Sequence, residues 1–533
     1  MTYPSHSDPF RGARRPTREV RIGGLGVGAA NPIRVQSMTT ADTRDVCATV
    51  DEAERLVDAG CEIVRITAPS IREAENLREI KAELYRRGVH VPLVADIHFT
   101  PNAAMIAAEI VDKVRVNPGN FADKKKFEVR EYSDAEYAEQ LARVADRFRP
   151  LVRRCKDRGV AMRIGTNHGS LSDRIMNRYG DTALGMVESA LEFLDVCEQE
   201  DYRDVLFSMK SSNAQVSIRA YRLLAMRLAE RDPGRPSYPF HVGVTEAGDG
   251  MDGRVKSAIG IGALLEDGIG DTIRVSLTED PVREIPVATM LARRAEARWA
   301  QAAEGVHAIG DAKLRAAASL LLDPDRYTRR ETKAVSLGGL TVGGGEPVRV
   351  ELDLGALPED AAALAARVAT SFASLADVAC EGLLVHAEEE AGLARFAAFA
   401  AALRELGVAL PLALQISLEL ASRVPKGPAR IVLPVVTGGG EEDLCQAIAA
   451  LAGAGYSIEC HLRGALADLP GLVDLALRAA SAAGASVRAI SVESDHAPHA
   501  ARLVAARLQT CGASDIPILL RHHAQGFDEK SSL

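Results

Sequence analysis

Of 533 residues only 4% are aromatic, with a single tryptophan, and none of the eight cysteines forms a C-x-x-C pair. Cys47, Cys61, Cys155, Cys197, Cys380, Cys445, Cys460 and Cys511 are scattered. That spacing excludes a disulfide framework and a self-contained zinc or iron–sulfur motif, and most of them read as buried thiols. No apolar run is long enough to cross a bilayer. The first twenty residues, MTYPSHSDPFRGARRPTREV, are polar and broken by prolines, with no apolar signal segment. Residues 1–19 therefore read as a disordered leader and the protein as cytoplasmic. A basic surplus is lacking too. The net charge of -9 and pI of 5.8 argue against nucleic-acid or membrane partners. Any anion must be bound by a local cluster of cations.

What is present is an ordinary globular composition, 47% hydrophobic and 26% charged, in a chain long enough for two or three domains. Val20 to Asn31 (VRIGGLGVGAAN) carries a Gly-x-Gly-x-Gly pattern, but the strand-like Pro-Ile-Arg-Val-Gln follows. A dinucleotide fingerprint needs a helix there, so the stretch reads as a hairpin capping a barrel. Eight strands are predicted: Ile33–Ser37, Glu62–Thr67, Pro92–Ile97, Lys113–Asn117, Val160–Gly165, Asp204–Lys210, Phe240–Thr245 and Asp271–Ser276. Helical patterns lie between them, and about 260 residues suit a closed (β/α)8 TIM barrel. The predicted fold class is thus α/β, with this barrel over 20–289. An insertion after Phe121, ADKKKFEVREYSD, is expected to fold over the mouth as a lid.

A helical linker is expected over 290–332, and then the chain repeats itself. VRIGGLGVGAANPIRVQS from Val20 matches VSLGGLTVGGGEPVRVEL from Val335, and CEIVRITA from Cys61 matches CEGLLVHA from Cys380. Residues 333–533 therefore read as a second, degenerate barrel-like domain made by duplication. At the positions of Arg65, Asp96, His98, Arg115, Arg163 and Lys210 the second copy has Leu384, Gln415, Ser417, Val432, Glu459 and Asp495. The expectation is a scaffold that has lost its polar equipment. Only seven strands are legible in it, and an unpaired edge would favour association, as in a homo-oligomer.

In the first copy Arg65, Arg115, Arg163, Lys210 and Arg274 stand at the C-terminal ends of five strands. In a TIM barrel that end is the active-site rim. Five converging cations would repel one another unless a polyanion binds there, and a phosphate or diphosphate ligand follows. Neutral donors lie between them, among them Asn117, Asn167 and Ser276. Asp96 and His98, at alternate positions on one strand end, are candidates for acid–base work. So is Glu246 in HVGVTEAG, whose carboxyl burial would raise.

VQSMT, ADIHF, VRVNPGN, RIGTNHGSL, HVGVTEAG and GIGDTIRVSLT occur in order over the first 280 residues. Together they resemble the 4-hydroxy-3-methylbut-2-enyl diphosphate synthase family, and the second barrel resembles its three-domain form. The resemblance implies reductive ring opening of 2-C-methyl-D-erythritol 2,4-cyclodiphosphate on the route to isoprenoids. Ferredoxin or flavodoxin would supply two electrons, and Arg65, Arg115, Arg163, Lys210 and Arg274 would bind the diphosphate. It also implies a 4Fe-4S cluster held by three cysteines and a glutamate of a C-terminal domain. This sequence departs from the family there: it has no C-x-x-C and no metal ligands of that kind. The expectation is a cluster domain removed or carried by a separate chain, leaving this chain inactive alone. Two other readings stay open. One is a non-catalytic diphosphate-binding or scaffold relative, the other a cluster-free barrel enzyme acting on a phosphorylated or pterin substrate.

Overall fold

The computed structural model describes residues 13–97, 100–121, 132–303, 311–321, 328–374, 380–494 and 496–521. The chain divides into two compact units near residue 306. The first opens with the antiparallel hairpin β1 (Val20–Ile22) and β2 (Leu25–Val27). Eight parallel strands follow: β3 (Arg34–Met38), β4 (Ile63–Thr67), β5 (Leu93–Ile97), β6 (Lys113–Val116), β7 (Ala161–Asn167), β8 (Val205–Lys210), β9 (His241–Val242) and β10 (Thr272–Ile273). Their order is β8-β7-β6-β5-β4-β3-β10-β9, and a bridge between Phe207 and Phe240 brings β8 and β9 together into a barrel.

The helices form where the sequence gives them both a cap and an apolar stripe. Ser70 accepts from Arg72 N at the start of Ile71–Arg86, whose Ala74, Leu77, Ile80 and Leu84 are buried. Ser133 and Glu136 form a capping box on Asp134–Arg158, and Gly159 ends that helix at φ 62°. Inside the barrel, Val20, Ile22 and Val27 of the hairpin pack on Ile63, Val94, Ala161 and Leu206. This apolar plug closes one end, so the polar strand ends face only the other.

Two differences from expectation concern boundaries. Arg14 and Thr17, read as the end of a disordered leader, both reach the buried Asp271 at 3.0 Å. Arg15 donates to the Tyr238 carbonyl at 2.6 Å and lies over the Phe240 ring. These polar residues anchor the chain by hydrogen bonds to buried acceptors, which composition alone does not disclose. The stretch read as a linker is also divided. Glu284–Ala303 lays Ile285, Ala288, Leu291 and Trp299 into the first core, while Ala312–Leu321 belongs to the second unit. The insertion expected as a lid lies outside the described residues from 122 to 131.

The second unit repeats the plan. A hairpin, β11 (Val335–Leu337) and β12 (Leu340–Val342), packs on Ala489. Seven parallel strands then follow in sequence order: β13 (Glu351–Ala356), β14 (Gly382–Ala387), β15 (Leu412–Ile416), β16 (Arg430–Val436), β17 (Ser457–Arg463), β18 (Ala489–Glu493) and β19 (Ile518–Arg521). Register confirms the internal repeat residue by residue. Asp96, Arg115 and Arg163 are lateral partners on β5, β6 and β7, and Gln415, Val432 and Glu459 are lateral partners on β15, β16 and β17.

Candidate active site

The strand ends of the first barrel open into a cavity of about 320 Å³. Arg65, Arg115, Arg163, Lys210 and Arg274, the five cations expected at the rim, all line it. Asp96, Asn167, Glu246 and Ser276 line it as well. Asn117 does not. It is buried behind the wall, where its Nδ2 donates to Ser170 Oγ at 3.1 Å and holds the following turn. His98 lies outside the described residues.

Small residues make room for the long ones. A Cβ on Gly165 of β7 would lie 2.6 Å from Arg115 Nε, so only glycine lets that side chain cross the strand. A Cβ on Gly243, just after β9, would meet the Arg274 carbonyl at 2.6 Å and Lys210 Nζ at 3.2 Å. That close approach accompanies the early end of β9 and β10. Their ladder runs for two residues, where six were predicted for each strand, and closes with Arg274 N donating to Val242 O.

The cations fall into two groups. Three are held by carboxylates. Arg115 donates from Nη1 to Asp96 Oδ1 at 2.9 Å and from Nη2 to the Gly165 carbonyl at 3.0 Å, and Arg65 Nε lies 3.4 Å from Asp96 Oδ2. Glu284, at the head of the helix after β10, accepts from Arg274 Nε and Nη2 at 3.2 Å and from Ser37 Oγ at 2.8 Å. Arg163 and Lys210 have no carboxylate within 4 Å among the described residues, and Arg163 Nε and Nη1 are buried without a hydrogen-bond partner. One further cation, Lys113, stands on β6 below the cavity and is fully buried. Six buried cations thus face two buried carboxylates, Asp96 and Glu284.

The electrostatic consequence is strain on charge. Burial, then the repulsion of Arg65 and Arg163, pushes Lys210 well below the ordinary lysine range. Burial lowers Arg65 to about 10 even with Asp96 working in the opposite sense. Asp96 is an ion-paired carboxylate, held between two guanidiniums and 2% exposed. Glu246 departs from expectation. Its side chain is exposed where a buried one was expected, and its backbone sits at φ 53° in the left-handed region. The turn from Thr245 to Gly248 lifts it onto the lip of the cavity.

Lys113 and Glu284 were absent from the sequence-based set. Lys113 carried a signal, since period two in Lys-Val-Arg-Val puts it on the inward face with Arg115. Glu284 carried none beyond its place at the start of a helix. The second barrel required a larger correction, because its interior is not stripped of polar groups. Glu459 lies between two arginines: Arg430 Nε donates to it at 2.7 Å and Arg521 Nη2 at 2.6 Å. Arg430 also makes a forked contact with Glu351, at 2.7 and 2.5 Å, and Arg521 donates to Gln415 at 2.7 Å. Arg521 comes from the seventh strand, which the comparison of rim positions did not include, and Arg430 takes the position of Lys113, so residue-by-residue matching at the rim missed both. Asp495 lies outside the described residues.

The described residues do not fit an iron–sulfur cluster. Among the described residues no three His, Cys, Asp or Glu side chains come together as a metal-holding group. Burial pushes the thiols of Cys61, Cys155 and Cys460 up to about 12, away from the thiolate a cluster iron requires. Nor is any helix among the described residues long and apolar enough to cross a membrane.

The first unit is thus a (β/α)8 barrel with a plugged floor and a surplus of buried cations at its C-terminal mouth. The sequence model of the GcpE TIM-barrel domain matches residues 17–289, and the chain belongs to that family. It is 54% identical over 351 residues to the 4-hydroxy-3-methylbut-2-en-1-yl diphosphate synthase (flavodoxin) of Leptospira interrogans, covering 66% of this chain and 51% of that protein. With the protein of that name from Protochlamydia amoebophila it shares 60% identity over 287 residues, 53% of this chain and 43% of the relative. With the chloroplastic ferredoxin-dependent protein of Arabidopsis thaliana the identity is 55% over 280 residues, 52% of this chain and 37% of the relative. The chain spans about half the length of the curated relatives it matches.

Proposed function

We propose that the first barrel binds 2-C-methyl-D-erythritol 2,4-cyclodiphosphate as the substrate-binding part of a 4-hydroxy-3-methylbut-2-en-1-yl diphosphate synthase. The observation that carries this reading is the buried cation surplus at the mouth of a GcpE barrel. Two diphosphate charges would meet Arg163 and Lys210, which have no carboxylate beside them among the described residues. Asp96 and Glu284 keep Arg65, Arg115 and Arg274 in fixed orientations, so their forks need no reorganisation when oxygens arrive. Asn167 and Ser276 offer neutral hydrogen bonds to the sugar-derived carbons' oxygens. Glu246, which lines the cavity, is the candidate for giving a proton to a departing hydroxyl, and His98 is the other.

The overall change opens the ring at a C–O bond and expels one hydroxyl as water, consuming two electrons and the protons that complete the water. Flavodoxin or ferredoxin, named for the relatives, is the proposed donor. No electron-transfer step is assigned to the described residues. Their part is to bind, orient and supply a proton.

Calorimetric titration of the full chain with the cyclodiphosphate tests the reading. Saturable binding is expected, and Lys210→Met should weaken it by about 2–3 kcal/mol, since a charge-assisted contact is lost and a phosphate left underpaired. No saturable heat with wild-type protein would overturn it.

A further inference from the structure

Lys113 lies one layer below the cavity, two residues before Arg115 on the same inward face. Its Nζ makes a single described hydrogen bond, to Gln36 Oε1 at 3.1 Å, and no carboxylate stands within 4 Å of it among the described residues. The groups facing it are Gln36 of β3, Arg65 of β4, Arg163 of β7 and His241 of β9. Its lateral neighbours, Val94 and Ala161, belong to the apolar plug. His241 Nδ1 is within 2.6 Å of Thr272 Oγ1, while its Nε2 and Gln36 Nε2 are buried without a partner. Nothing described here offsets a positive charge on Lys113.

Guanidiniums do not release protons in proteins, so relief of this crowding must fall on amines. Lys113 is the most enclosed of them, and burial with the repulsion of Arg163 and Arg65 drives it well below the usual lysine range. Resting on the ligand assigned above, we infer that Lys113 is neutral in the ligand-free barrel and takes up a proton when the cyclic diphosphate binds, so that anion and proton enter together. The new N–H bond forms at Nζ at the expense of a buffer acid, and nothing is oxidised or reduced. Lys113 is thus a positioning residue, acting through Arg163 and Arg65 to match the charge of the site to that of its ligand. The sign follows: affinity falls as pH rises, because the free proton that binding takes up becomes scarcer.

The test is titration of the full chain with the cyclodiphosphate in two buffers of different ionisation enthalpy at one pH. Each phosphorus of that ligand bears one strongly acidic oxygen and no second ionisation near neutrality, so the protons counted are the protein's. Wild type should take up protons, and Lys113→Met should bind with an uptake smaller by up to one proton. Lys210 lines the cavity and bears the same burden, which is why the difference between the two proteins, not the total, is read. Equal uptake in wild type and Lys113→Met, or binding with no uptake in wild type, overturns the inference and leaves the substrate assignment standing. Failure of wild type to bind overturns that assignment instead. Lys113→Gln serves where the methionine variant does not fold. The lysine ε-carbon resonances of wild type give a reading without substitution. One lysine changing from amine to ammonium on ligand addition, and still doing so in Lys210→Met, supports the inference. Ammonium signals throughout in both states overturn it.

Discussion

The two barrels share register, hairpin plug and strand order, yet they treat buried charge in opposite ways. In the first, six buried cations face two carboxylates, and Arg163 keeps two guanidinium nitrogens without a partner. In the second, Arg430 and Arg521 are matched by Glu351 and Glu459, and each guanidinium is held by two or more oxygens. Backbone strain divides the same way. Non-glycine residues at positive φ among the described residues are Ala29, Asp201 and Glu246, all in the first unit. A barrel interior can evidently accept charge on either plan. On the proposed function, the uncompensated site is the one a ligand completes, and the closed network is complete by itself.

The largest expected effect breaks the closed network. Arg430→Met leaves the fully buried Glu459 with Arg521 alone and takes the guanidinium away from Glu351. Removing one partner of a buried pair costs about 3–5 kcal/mol, so the second unit should unfold much earlier. Trp299, the only tryptophan, sits in the first barrel with its Nε1 donating to Leu265 O at 3.0 Å. Its fluorescence follows that barrel alone, while far-ultraviolet circular dichroism follows both. The early transition should appear in dichroism and not in fluorescence, and cyclodiphosphate affinity should stay unchanged. A shift in affinity would mean the two interiors are coupled.

The converse substitution is Arg163→Met. Here a cation with unpartnered donors leaves a site that repels it. Affinity for the cyclodiphosphate should fall by about 2–4 kcal/mol, whereas the ligand-free first barrel should become no less stable, and up to about 1–2 kcal/mol more so. Denaturant unfolding read by Trp299 separates the two. Lower stability in the absence of ligand would show that Arg163 is a structural cation like Arg430.

Acid should act on the second unit through the same contrast. Burial opposes ionisation of Glu459, but Arg430 and then Arg521 overcome it and hold the carboxyl down at about 2. A folded value below the ordinary one of about 4.3 means the stabilisation is complete above that pH and is lost as pH falls toward 2. The loss should reach about 3 kcal/mol, measured as the dichroism transition between pH 5 and 2. In Glu459→Gln the slope should be much shallower over that window.

How much of this could be read in the sequence depends on the kind of signal. Period-two strands and capped helices gave the first barrel, because inward and outward faces alternate locally. The rim cations were legible for the same reason, each standing at a predictable strand end. What escaped were relations over long separations. Arg15 meets Tyr238, Ser37 meets Glu284, and Glu459 meets Arg521, and no local pattern announces such pairs. The second barrel misled most. Its rim was compared position by position, while compensation for Glu459 comes from a deeper layer and another strand. Glu246 misled differently, since the end of β9 looked like a strand to Thr245 although the chain had already turned outward.

The smallest expected effect tests whether the lip of the first barrel also carries unfavourable structure for its task. Glu246 holds φ 53°, a region that costs a residue with a Cβ roughly 1 kcal/mol or more and costs glycine nothing. Its carboxylate is exposed and no hydrogen bond of it is described, although its carbonyl accepts from Lys256 Nζ at 3.1 Å. Glu246→Gly keeps that carbonyl and releases the side chain's conflict with the backbone. Thermal unfolding followed by Trp299 should therefore move upward by a few degrees, equivalent to roughly 0.5–1 kcal/mol, while cyclodiphosphate affinity changes little. The flexibility glycine adds to the unfolded chain works against this gain, so the shift is kept small. Glu246→Ala is the control: it retains the Cβ and the strain, and should show no gain. If both variants were destabilised alike, the carboxylate would be holding the turn in place, and the left-handed residue would belong to the scaffold instead of the site.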